Sequence, residues 1–176
     1  MEGVGGRRPR GPRGWRLGRG AGALLVWLAL AGPAASADWG GIQPGLSTRQ
    51  NVETLYGRPT WERTVVEERR NLLEWTYAGE RAPKGLTRMV VSFGLNGASG
   101  FRDELVRALE IYPTPGAFTV ENITTAWGKP EAIGTNQETG QVMFRYDAQG
   151  LLVVMNRRGD SVEVMLFVPT PTAEKR

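Results

Sequence analysis

The chain has 176 residues, 40% of them hydrophobic, and its twenty-two Lys and Arg against eighteen Asp and Glu give a nominal net charge of +4. It contains no cysteine and no histidine, which excludes disulfides, thiolate chemistry and the commonest general base and metal ligand. From Asp38 onward sixteen basic residues face seventeen acidic ones, a net charge of −1, so no basic footprint for nucleic acid remains.

Residues 1–37 read as a secretory signal. An arginine-rich start (Arg7, Arg8, Arg10, Arg13, Arg16, Arg19) precedes an apolar run from Ala21 to Ala31, a Gly32-Pro33 break and the small residues Ala35-Ser36-Ala37. The apolar run is shorter than the ~20 residues a membrane helix needs. The expectation is cleavage near Ala37, a periplasmic or secreted location, and no integral membrane span once the signal is removed. No cysteine follows to carry a lipid anchor.

The next signal is a phrase used twice. Pro44 to Pro59 aligns without gaps on Pro115 to Pro130, and the shared positions include Pro44/Pro115, Gly45/Gly116, Thr48/Thr119, Asn51/Asn122, Gly57/Gly128 and Pro59/Pro130. Each copy predicts a short helix. Ser47 or Thr48 caps the first, with Gln50 at capping-box spacing from Ser47, and Thr119 caps the second. Val52, Leu55 and Tyr56, like Ile123, Ala126 and Trp127, give each helix one apolar stripe. Gly57 and Gly128 end the helices, and Pro59 and Pro130 stop them from resuming.

Strand patterns follow each helix. Leu73, Trp75 and Tyr77 alternate with polar residues, as do Val142, Phe144 and Tyr146 with Met143, Arg145 and Asp147. Further strands are expected at Trp61 to Glu68, Arg88 to Phe93, Leu105 to Tyr112, Leu151 to Asn156 and Ser161 to Val168. The predicted fold class is α+β: two tandem repeats, 38–113 and 114–169, each a short helix packed on a three- to four-stranded antiparallel sheet. Residues 170–176 read as a disordered tail.

Catalytic constellations are weak. Asp103-Glu104 and Glu67-Glu68 are neighbouring carboxylates that an extended chain points to opposite faces. No serine has a histidine to activate it, and the glycines of 94–100 do not follow a phosphate-loop pattern. The expectation is a non-enzymatic protein with no cofactor and no metal. The second sheet, by contrast, is apolar on both phases. One set is Val142, Phe144, Tyr146, Leu151, Val153, Met155, Val162, Val164, Leu166 and Val168; the opposite set is Met143, Arg145, Leu152, Val154, Met165 and Phe167. A single short helix covers one face only, so the other meets the sister repeat, a second copy or a partner protein. The second set is the candidate partner-binding face, and the sister repeat is its nearest cover. Trp61 and Trp39 lie outside the aromatic stripes and are freer for contact.

The stretch Ile42-to-Thr60 (IQPGLSTRQNVETLYGRPT), with LEWTYAG and MVVSFG after it, resembles the SmpA/OmlA (BamE-like) family of outer-membrane assembly lipoproteins. Tandem use of the unit resembles the β-lactamase-inhibitor protein architecture. The resemblance implies structural roles for Gly45, Gly57, Pro59, Trp75 and Tyr77, which align with Gly116, Gly128, Pro130, Phe144 and Tyr146. It also implies an exported protein-binding module in cell-envelope or outer-membrane assembly, with an envelope protein or a homo-oligomer as partner. The alternatives are a carrier for a small apolar ligand in a groove between the repeats, or an inhibitor of an envelope enzyme. The family's lipid-bearing cysteine has no counterpart, since Ala37-Asp38 stand at that junction.

Overall fold

The computed structural model describes residues 37–67, 69–97 and 100–170, so the expected signal lies outside the described residues except for Ala37, and the tail except for Thr170. Helix α1 (Arg49–Tyr56) is followed by strands β1 (Trp61–Glu67), β2 (Arg70–Ala78), β3 (Leu86–Gly97) and β4 (Gly100–Pro113). Helix α2 (Val120–Trp127) is followed by β5 (Ala132–Thr135), β6 (Val142–Tyr146), β7 (Leu151–Met155) and β8 (Val162–Phe167). No helix among the described residues is long and apolar enough to cross a membrane.

The two copies of the repeated phrase fold alike locally. Thr48 and Thr119 each accept a hydrogen bond from the amide three residues on, and the Asn51 and Asn122 side-chain carbonyls accept one in turn from the cap amide at 2.8 and 3.0 Å. The box is thus closed by the asparagine after Gln50, while the Ser47 hydroxyl accepts from the Gln43 amide. Gly57 and Gly128 cap the C-termini at φ 70° and 80°, where a β-carbon would be strained. The phenols of Tyr77 and Tyr146 donate to the Gly57 and Gly128 carbonyls at 2.9 and 3.2 Å, tying each helix end to a strand of the sheet.

The expected fold class needs correction: there are not two tandem helix-on-sheet repeats but a single eight-stranded antiparallel sheet in the order β1-β2-β3-β4-β8-β7-β6-β5. The reason lies in β4. At fourteen residues it has backbone to spare beyond its hairpin with β3, and it pairs with β8 through Leu109↔Phe167, Glu110↔Leu166 and Ile111↔Met165. Edge-to-edge joining satisfies the backbone groups of two strands that would otherwise be bare. It also forms one core. Val52 of α1 and Ile123 of α2 are buried in the same cluster as Tyr77, Met89, Phe93, Leu109, Val153 and Phe167. The segment before α1 crosses this core: the Ala37 amide donates to the Gln149 carbonyl at 2.7 Å, Ile42 is buried, and the Gly45 amide donates to Val106. Because the halves meet by their edges, neither covers the other's second face. Among the described residues, neither helix covers that face.

Candidate functional site

The open face divides into an apolar and a polar half. On the apolar side Met143, Leu152, Val154, Val164 and Leu166 are all half-buried, with no helix of the described residues over them. Their cross-strand partners run Met143↔Val154↔Val164 and Arg145↔Leu152↔Leu166↔Glu110. Arg145 is exposed at the margin and paired with Asp147 at 2.8 Å.

Two members of the expected partner-binding set are placed elsewhere. Met165 and Phe167 are fully buried on the helix face, where the Phe167 ring meets Trp127 edge-on at 6.1 Å. The cause is a register shift: Met155 pairs with Val162, yet Val154 pairs with Val164, so Glu163 is an extra residue in β8. With a side-chain period of two, one extra residue inverts the facing of everything after it. Val162 and Met165 therefore both point into the core, and Val164 and Leu166 point out.

The polar half is a shallow cleft of about 310 Å³ over β1 to β4, lined among others by Trp61, Arg63, Glu74, Arg88, Glu110 and Tyr112. Trp61 forms its outer wall and is 55% exposed. The Arg63 Nε donates to Glu74 at 2.7 Å, and this hydrogen bond and the Glu74 charge raise the arginine's pKa. The Arg88 guanidinium lies 3.8 Å from the Tyr112 ring centroid, and the Tyr112 hydroxyl donates to Glu110 at 2.6 Å. Burial, then the bond to Glu110, pushes the Tyr112 phenol up. Such a cleft offers a stacked guanidinium, an exposed indole and carboxylates already engaged, a set suited to recognition.

Sequence reasoning singled out Trp61 and missed the rest of the cleft. Its signal was present as phase: Glu74 and Thr76 interleave Leu73, Trp75 and Tyr77 and so must line the face opposite the core. Trp39 instead stacks on Tyr56 at 6.2 Å. Gly45 and Gly116 have φ 84° and 79°, Trp75 packs edge-on to Phe93 at 5.0 Å with its indole N–H donated to Glu62, and Phe144 is buried. Of the neighbouring carboxylates, Asp103 and Glu104 pair with Arg49 and Arg102, and Glu67 with Arg107. Where the alternative reading set a groove between the repeats, β4 and β8 are paired edge to edge.

No protein-family model matches the chain, and no curated protein matches it. Among solved structures it is similar to a DUF4309 family protein (YjgB) from Bacillus subtilis, with a TM-score of 0.46 and 18% identity over 73% of this chain and 83% of that one. At that distance the likeness says nothing of function. The resemblance to the SmpA/OmlA family is corrected by the topology: the single eight-stranded sheet is not a BamE-like tandem. The short phrase that carried the resemblance encodes a capped helix and its docking on a strand, a local solution that different folds can share.

Proposed function

We propose that the chain is an exported, non-enzymatic protein-binding module that takes an envelope protein on the open face of its sheet. The observation that supports this reading is the contiguous half-buried patch of Met143, Leu152, Val154, Val164 and Leu166, bordered at Glu110 by the polar cleft that runs out to Trp61. An apolar centre with an aromatic and charged rim is the composition of a recognition surface. Export is read from the arginine-rich and apolar leader. The outer-membrane assembly role rested on the overturned resemblance and is not carried further. The test is capture from an envelope fraction with the wild-type chain and with Leu152→Lys. Leu152 lies on the open face, so its unfolding curve should stay close to wild type while the captured protein is lost. Equal capture by both chains, or no capture above control at several salt concentrations, overturns the reading.

A further inference from the structure

The sheet has two outer strands, and they are unequal. β5 has four residues, whereas β1 has seven, nearly all exposed, with Trp61 at 55% and Val66 at 71%. Among the described residues nothing pairs with the outer edge of β1. The register Glu67↔Arg70 closes the β1–β2 hairpin with two residues, which makes that pair hydrogen-bonded. Counting back by twos, Trp61, Arg63 and Val65 spend their backbone groups on β2. Those of Glu62, Thr64 and Val66 point outward, free to pair with another strand.

We propose that this edge joins a second copy of the chain, β1 against β1 and antiparallel, with Val65 on the two-fold axis. Charge selects the register. An axis at Arg63 sets two arginines face to face, and an axis at Thr64 sets Arg63 against Val65. The axis at Val65 sets Arg63 of each copy opposite Glu67 of the other, twice per interface, and pairs Thr64 with Val66 through their outward backbone groups. Within one copy Glu67 already pairs with Arg107 and Arg63 with Glu74. The junction therefore builds two ladders of alternating charge: Arg107 and Glu67 from one copy, then Arg63 and Glu74 from the next. Like charges directly opposite on paired strands repel and opposite ones attract, which makes this the favoured alignment. The same register brings Arg69 of the second copy beside Trp61, on the open side of the cleft. The result is a sixteen-stranded sheet with both open faces on one side.

Sedimentation equilibrium of the full chain at low salt, over a rising concentration series, tests this. Wild type should show monomer and dimer in exchange. Arg63→Glu and Glu67→Arg each place like charges opposite one another twice and should weaken the dimer about tenfold or more. Both are exposed edge positions, so the sheet stays folded. An equimolar mixture of the two variants should recover wild-type association, because in the mixed dimer both pairs are again opposite in sign. A wild-type chain that stays monomeric, single variants that associate like wild type, or a mixture that fails to recover would each overturn the proposal.

Discussion

The Tyr77 phenol shows how one side chain joins local and tertiary structure. It is fully buried, and its hydroxyl spends its proton on the carbonyl of the residue that caps α1. Burial, with the Glu53 charge and Tyr56 adding to it, raises its pKa from 10.0 to about 12. The folded state therefore holds this proton more tightly than the unfolded chain does. The stability this contributes is fully present below pH 10 and is lost as pH rises through about 12. Urea unfolding followed across that window should show stability falling with pH, and Tyr77→Phe should flatten the fall. The same substitution should cost roughly 0.5–1.5 kcal/mol at neutral pH, the ordinary worth of a buried hydrogen bond. A fall of unchanged steepness in the variant would show that Tyr77 does not govern it.

At the scale of elements the extra residue in β8 decides which side chains the molecule shows. Deleting Glu163 would force either Val162 or the Met165 and Phe167 pair out of the core, at a cost of about 2 kcal/mol or more. Glu163→Ala, which keeps the bulge, should stay within about 0.5 kcal/mol of wild type. Thermal unfolding of the two variants measures the contrast. This bulge also marks the limit of what the chain's pattern reveals. The helix caps, the stop signals and most strands are legible, because Thr48, Asn51, Gly57 and Pro59 act within a few residues of one another. Val162 to Val168 is apolar on both phases, so alternation gives no facing and a slip of one residue leaves no trace. Glu74 and Thr76 of the polar cleft lay in plain alternation on β2, but their assembly with Arg88 and Tyr112 depends on pairings across β3 and β4. The joining of the halves was illegible for the same reason: the spare length of β4 has meaning only beside β8.

For the molecule as a whole, one sheet and one core predict one transition. Trp75 is buried against Phe93 in the first half, and Trp75→Ala should remove ~3–5 kcal/mol of stability. That is a large share of an ordinary domain's total of ~5–15 kcal/mol. The β4–β8 pairing and the Ala37–Gln149 bond transmit the loss to the second half. Hydrogen exchange on the variant should show protection falling together at Leu73 to Tyr77 and at Val162 to Phe167. Full protection kept in β8 while β2 exchanges freely would mean that the halves unfold separately.

The seam between β4 and β8 has a further consequence, in the order of events during folding. Every other strand pair joins neighbours in the chain, and each can zip as a hairpin within microseconds. Leu109 and Phe167 meet only after the whole intervening chain has closed into a loop, the largest entropy cost among the strand pairings of the sheet. Rapid hairpins and a slow final closure are the expected sequence. Until that closure, the outer edges of β4 and β8 are bare at the same time, so the newly made chain is most open to joining another chain in the wrong pairing at the seam.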